Sequence, residues 1–292
     1  MVSVENQKVE VLKYKKRIRP AQMRAAWASR VVIWFMCIIV LIPLLAVITA
    51  SLAKGQGFTQ SSIFPKSITL ENYIKVLTKT QFLVWVKNSI FLCTTVAVIQ
   101  ILLTMPAAFA FSKIKFKGRK YGLMSLLLLQ MFPTTMALPA ILGVAYKYNM
   151  MDKLWALVLL LAGGSAYNIW LMKGYMDSIP KELTESAYID GASTFQAFIK
   201  IIIPLIRNMI VVIFIFAFIG TYSEFYFTSA LIKAKDAQTV VTGMRDFIRD
   251  QYAANWTQFS AAAVMSTIPI VAIFVATQKF LAKGLTAGSV KG

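Results

Sequence analysis

Residues 88–112 read NSIFLCTTVAVIQILLTMPAAFAFS, 25 residues between Lys87 and Lys113 without a charged side chain. A hydrocarbon layer roughly 30 Å thick is crossed by about 20 helical residues. Backbone polar groups inside such a layer must pair within the segment, so this stretch is predicted to be a helix; a strand would be half as long and alternating. Five further windows repeat the pattern. No charge falls between Arg30 and Lys54, Lys120 and Lys147, Lys153 and Lys173, or Asp250 and Lys279, and a single one, Glu224, falls between Arg207 and Lys233. The expected fold is all-α: a polytopic membrane domain over 31–279 with six transmembrane helices at about 31–53, 88–112, 121–146, 154–172, 208–232 and 259–279. A basic N-terminal tail, 1–30, and a C-terminal tail, 280–292, flank it. The first window is longer than the roughly 7–15 apolar residues of a secretion signal, so it is expected to be retained.

Composition narrows the function. Hydrophobic residues make up 58% of the 292 and charged residues 15%, against about 25% charged in soluble domains. The 31 Lys and Arg exceed the 12 Asp and Glu; nucleic-acid binders are basic without being this apolar, so no nucleic-acid partner is expected. The chain has no His, hence neither the commonest general base nor the commonest metal ligand. Cys37 and Cys93 sit far apart in apolar runs, and no Gly is followed by the Lys of a phosphate-cradling loop. The expectation is a protein that is not an enzyme and binds no cofactor or metal.

Lys and Arg set the orientation. With both termini in the cytoplasm, the inner segments hold 20 of them and the outer segments 11, with Lys113, Lys115, Lys117, Arg119 and Lys120 the densest inner cluster. The tail from Lys13 to Arg19 then meets anionic membrane lipid. Trp27, Trp34 and Trp170 fall near inner ends and Trp85, Trp155 and Trp256 near outer ends, as an interfacial aromatic belt requires. Pro43, Pro106, Pro133, Pro139 and Pro269 lie inside predicted spans, where each can kink a helix, through packing irregularity or around a path.

The inner loop at 178–204 is longer than a connector needs. Ser178-Ile179-Pro180 starts a helix whose first turn carries Glu182 and Glu185, where the positive helix end favours acids. Asp190-Gly191 is a turn signal, and Ser193 with Gln196 has capping-box spacing for a second helix that Pro204 interrupts. Leu183, Ala187 and the Gly191 turn give a small, partly apolar knob beside Glu185. By its residues alone it suits either a cleft in another protein or a solvated surface.

Glu185-Ser186-Ala187, then Gly191, nine residues, and Ile201-Ile-Ile-Pro204 resemble the EAA signature of ATP-binding-cassette importer permeases: EAA, three residues, G, nine residues, I-x-L-P. Ser186 and Ile203 are mild departures. Gln130-Met-Phe-Pro133, Lys173-Gly-Tyr175, Phe259-Ser-Ala-Ala-Ala-Val-Met-Ser266 and the tail Gly284–Gly292 are similar to the smaller permease of maltose and maltodextrin importers. The resemblance implies the type I importer permease (MetI-like) fold with an EAA coupling helix. It implies a homologous second permease, a dimer of cytoplasmic ATPases that hydrolyse the ATP, and an extracytoplasmic sugar-binding protein. Glu185, Ser186, Ala187, Gly191 and Pro204 would form the ATPase-coupling element, and the C-terminal tail would reach between the ATPases. The outer-loop residues Thr239, Val240, Thr242, Gly243 and Met244 would contact the binding protein. The cargo would be a sugar, with malto-oligosaccharide the leading expectation and another oligosaccharide the alternative.

A translocation path is expected to draw on Gln130, Asn168, Tyr222, Ser223 and Glu224, with Ser165 and Tyr167 also able to face it. Glu224, as an intramembrane charge, faces a cavity by default; near the end of its span it equally suits a structural partner. An ion-coupled secondary carrier usually needs several buried ionisable groups, for which Glu224 alone is thin support. A membrane-embedded enzyme would need a cluster of acids or metal ligands that the spans lack. A non-transporting scaffold would leave the coupling loop surplus.

Overall fold

In a computed structural model the described residues are 20–55, 67–250 and 254–286. The basic run at 13–19 and the last residues of the C-terminal tail lie outside them. Among the described residues the chain is helical apart from turns and one isolated bridge, Ala53 with Ile68. In chain order the helices are α1 (Pro20–Ser51), α2 (Glu71–Lys79), α3 (Phe82–Lys113), α4 (Arg119–Gln130), α5 (Leu138–Lys147), α6 (Leu154–Ala162) and α7 (Ala166–Asp177). There follow α8 (Glu182–Ile189), α9 (Thr194–Ala197), α10 (Ile203–Tyr222), α11 (Tyr226–Leu231), α12 (Val240–Met244) and α13 (Trp256–Thr286).

Four continuous helical stretches are long and apolar enough to cross a membrane: Gln22–Ser51, Phe82–Lys113, Thr194–Tyr222 and Trp256–Leu281. Two bent pairs bring the number to six if each crosses once: Arg119–Gln130 with Thr134–Lys147, bent by 74°, and Leu154–Ala162 with Ala166–Asp177, bent by 48°. The uncharged windows at 121–146 and 154–172, read as simple spans, are therefore broken. The first breaks at Met131-Phe132-Pro133, because Pro lacks an N–H and disfavours a helical residue before it. The second breaks at Gly163-Gly164, the weakest helix formers after Pro. Pro43, Pro106 and Pro269 stay inside α1, α3 and α13, and Pro139 sits in the first turn of α5. The window at 208–232 is divided: its helix ends at Tyr222, and α11 begins afresh at Tyr226.

Residues up to Ala46 form one unit and those from Val47 a second. In the first, α1 is exposed almost throughout from Gln22 to Leu45, with Ile, Leu, Val, Phe and Trp side chains on every face. A helix apolar all round belongs in lipid or against another chain. In the second unit α3 runs through three buried clusters. Ala108 and Phe109 pack with Met172, Met176, Ile206 and Ile213; Trp85, Cys93 and Ala97 pack with Phe218, Val240 and Ala261; Leu92 and Val96 pack with Ala156, Leu157 and Leu231. The end of α1 is closed by Asn72, whose Nδ2 donates to the carbonyls of Ser51 at 2.9 Å and Ala53 at 2.8 Å. The Ser51 carbonyl is among the acceptors that a helix C-terminus leaves orphaned.

The segment 234–249 lies against the start of α3. Asn88 Nδ2 donates to the carbonyls of Asp236 and Gln238, and Ser89 Oγ accepts from the Val240 amide at 2.9 Å. Gly243 then sits on the Trp85 ring so closely that a Cβ there would lie 2.2 Å from Trp85 Cδ2. Trp85 is consequently 4% exposed rather than part of an aromatic belt, whereas Trp27, Trp34, Trp155 and Trp170 are exposed. Overpacking a filled site typically costs about 1–3 kcal/mol. Gly243→Ala should lower the thermal unfolding midpoint in detergent accordingly, and Gly174→Ala, whose Cβ would meet open space inside α7, should not. An unchanged midpoint for Gly243→Ala would contradict this packing.

Candidate functional site

The loop at 178–204 folds as a closed hairpin. α8 opens after Lys181, whose carbonyl accepts from the amides of Thr184 and Glu185, each at 3.0 Å. At its far end the Gly191 amide donates to the Tyr188 carbonyl at 3.1 Å and the Ala192 amide to the Ala187 carbonyl at 2.9 Å. That bond pair is the Schellman closure, and Gly191 has the left-handed conformation it needs, φ +83°. Ser193 caps α9 reciprocally: its Oγ accepts from the Gln196 amide, and Gln196 Oε1 accepts from the Ser193 amide. Pro204 does not interrupt the second helix. A π-helical turn at Phe198–Ile202 carries α9 into α10, where Pro204 falls in the first turn, so one helical stretch runs from Thr194 to Tyr222.

The knob differs in detail from its sequence reading. Ala187 is buried under the hairpin, whereas Glu185 and Ser186 are exposed. Its large apolar surface is Ile189, 87% exposed, and Phe195, 71% exposed, with Leu183 beside them. The spacing had not singled out Ile189 and Phe195; an apolar residue directly before Asp190-Gly191 was the signal available. The base of the hairpin is tied to α3: Lys113 Nζ donates to the Ile179 carbonyl at 2.6 Å, and Ser112 Oγ to Asp177 Oδ1 at 2.7 Å.

A second feature is a cavity of about 880 Å³ bounded by α4, α6, α7 and α10. Its geometry follows from the two bends. Breaking a helix frees backbone carbonyls and amides, and in an apolar surrounding each needs a partner. Gln130 on α4 accepts from the Tyr167 amide through Oε1 at 2.9 Å, and its Nε2 reaches the Gly164 carbonyl at 3.3 Å. Gln100 on α3 donates to the Leu161 carbonyl at 2.9 Å and accepts from Asn168 Nδ2 at 2.9 Å. Glu224 caps the new start at α11, accepting from the Phe227 amide at 2.8 Å, the Thr228 amide at 2.9 Å and the Thr228 hydroxyl at 2.6 Å.

Of the residues expected on a path, Gln130, Asn168, Glu224 and Tyr167 line this cavity, joined by Gln100, Thr134 and Thr221. Tyr222 and Ser223 are not among the lining: Tyr222 is buried, its hydroxyl donating to the Ser266 carbonyl in α13 at 2.8 Å, and Ser223 is exposed. Gln100 had been missed because a lone amide inside an apolar window leaves no periodic mark. No Lys or Arg lines the cavity, and its carboxylate is held by three donors. Amides, hydroxyls and aromatic faces suit an uncharged polyhydroxylated molecule better than an anion.

The outer-loop residues expected to touch a binding protein are mostly turned inward. Thr239, Val240, Thr242 and Gly243 are buried and Met244 is half-buried, because Thr239 and Thr242 cap α12 while Val240 packs on α3. Among the described residues of this loop the exposed side chains are Lys233, Lys235, Asp236, Arg245, Asp246, Arg249 and Asp250.

The chain is 38% identical over 268 residues to the galactooligosaccharides transport system permease protein GanQ of Bacillus subtilis, covering 90% of this chain and 95% of that one. It is 32% identical over 256 residues to the maltodextrin transport system permease protein MdxG of the same organism, covering 87% and 92%. With the maltose/maltodextrin transport system permease protein MalG of Vibrio parahaemolyticus the identity is 33% over 285 residues, covering 91% and 96%. The fold matches a chain of a bacterial ABC transporter involved in the import of the acidic polysaccharide alginate, with a TM-score of 0.76 at 21% identity, over 90% of this chain and 99% of that one. The model of the family described as binding-protein-dependent transport system inner membrane component matches residues 98–287, and this chain belongs to that family.

Proposed function

We propose that the chain is one permease subunit of an oligosaccharide importer and makes or breaks no covalent bond itself. A homologous second permease completes the path, a dimer of cytoplasmic ATPases docks on the hairpin, and an extracytoplasmic binding protein delivers the sugar. The observation that carries this reading is the hairpin at 178–204: a rigidly closed knob presenting Ile189, Phe195 and Glu185 at the head of a helical stretch 29 residues long. At 1.5 Å per residue that stretch is about 43 Å long, and its far end supplies Gly220 and Thr221 to the cavity wall. Movement imposed on the knob is thereby delivered to the cavity. No cofactor is bound by this chain; ATP is used by its partners. The Lys and Arg bias supports this reading, with the hairpin and both termini on the cytoplasmic side of the cytoplasmic membrane.

The lining supports a neutral oligosaccharide over a polyanion. Malto-oligosaccharide remains the leading substrate, and the 38% identity to a galactooligosaccharide permease favours a galactooligosaccharide as the second reading. Uptake of each labelled sugar in cells expressing the chain and its partners separates them.

Two predictions test the mechanism. Glu185→Arg and Gly191→Val, the latter straining a left-handed position by about 1–2 kcal/mol, should lower uptake and weaken ATPase co-purification at equal membrane levels. For Gly191→Val the expected loss is about 5- to 30-fold. Full uptake in both variants would overturn the coupling role. Gly220→Leu places a side chain where a Cβ meets open space at the cavity wall. It should cut uptake while leaving ATPase co-purification intact, and undiminished uptake would remove the cavity from the path.

A further inference from the structure

Among the described residues, a cluster of basic side chains lies outside both the hairpin and the membrane cavity. At the junction of α3 and α4, Gly118 at φ +91° turns the chain so that the start of α4 comes back against the end of α3. Beside this turn is a cavity of about 670 Å³ with Lys115, Arg119, Lys120 and Lys173 on its wall and no carboxylate among its lining residues. Lys173 pairs with Asp177, and Arg119 spends Nε and Nη2 on the carbonyls of Phe111 and Ser112. Lys115 and Lys120 pair with no carboxylate among the described residues. Like charges gathered this way repel one another unless an anion joins them.

The rest of the wall is apolar and graded along α4. Phe116 and Trp170 are partly exposed aromatics beside the cations, while Leu123 and Leu127 continue the wall away from them. Arg119 to Leu127 is eight residues of helix, about 12 Å from the charged end to the apolar end. An occupant must therefore be anionic at one end and hydrocarbon at the other. Inorganic phosphate would leave the leucine end uncovered, and an acyl chain without a headgroup would leave the lysines unpaired.

We propose that this cavity is a binding site for an anionic phospholipid, with the phosphate at Lys115 and Lys120 and an acyl chain along Leu123 and Leu127. Basic pockets between spanning helices suit such headgroups. The site rests on the membrane-spanning fold and not on the coupling role of the hairpin, so either can fail without the other.

The test uses the full-length chain in the complex with which it co-purifies, in phosphatidylcholine vesicles carrying trace photoactivatable phosphatidylglycerol or, separately, photoactivatable phosphatidylcholine. Label is mapped by peptide mass spectrometry. At about 1 kcal/mol per lysine near the surface, roughly fivefold each, Lys115→Gln with Lys120→Gln should reduce phosphatidylglycerol labelling of 111–127 about 25-fold. Lys115→Arg with Lys120→Arg should retain it and guards against misfolding; Lys147→Gln with Lys153→Gln should leave it unchanged. Equal labelling by both lipids, or labelling of the wild type no greater than that of the glutamine variant, would overturn the proposal. So would displacement of the lipid by millimolar glycerol phosphate, or an acidic protein segment of the complex found cross-linked there instead.

Discussion

An apolar surrounding offers little water to a broken helix, so the carbonyls and amides freed by a bend need partners from elsewhere in the protein. In this chain Gln130 meets Gly164 and Tyr167, Gln100 meets Leu161, and Glu224 meets the amides of Phe227 and Thr228. These bonds pair backbone groups at the 48° bend between α6 and α7 and at the fresh start of α11, while at the 74° bend the amides of Phe132 and Met136 are met by the backbone carbonyls of Leu129 and Pro133. The bends in turn make the cavity, since straight helices packed on α3 would close it. Gln100, Gln130 and Glu224 in the cavity wall are thus structural first: their side chains are committed to the backbone, and what they offer a passing molecule is their remaining donors and acceptors.

The same economy operates at the other end of the molecule. The hairpin is fixed internally by a Schellman closure and a capping box, and fixed externally by Lys113 and Ser112 at the end of α3. Its second arm continues through a π turn into α10 without a break. In the proposed mechanism a partner need only grip Ile189, Phe195 and Glu185. The long helix behind them moves with the grip, and its far end borders the cavity.

Much of this was legible in the sequence. Uncharged windows fell on the four long apolar helical stretches and the two bent pairs, and Asp190-Gly191 and Ser193 with Gln196 located the hairpin's closures. Two kinds of feature were not. A window counts charge and is blind to direction, so Gly163-Gly164 looked like ordinary span residues and Pro133 was not told apart from the four other span prolines, even though these positions set the bends. Exposure was also hidden at short range: Ala187 and Gly243 both lie in short helices, yet one is covered by its own hairpin and the other by Trp85 about 160 positions away. Contacts of that separation leave no periodic trace, which is why the outer-loop residues were expected at a surface and are found mostly buried.

The central claim, that the knob formed by 178–204 is gripped by an ATPase, is tested most directly by cross-linking. In a background with Cys37→Ser and Cys93→Ala, Ile189→Cys would be treated in intact membranes with a short bis-maleimide, with Lys235→Cys in the outer loop as the comparison. The account predicts an ATPase adduct from position 189 whose yield changes with nucleotide, and none from position 235. Labelling of position 189 by a membrane-impermeant thiol reagent added outside intact cells, with no ATPase adduct, would contradict it.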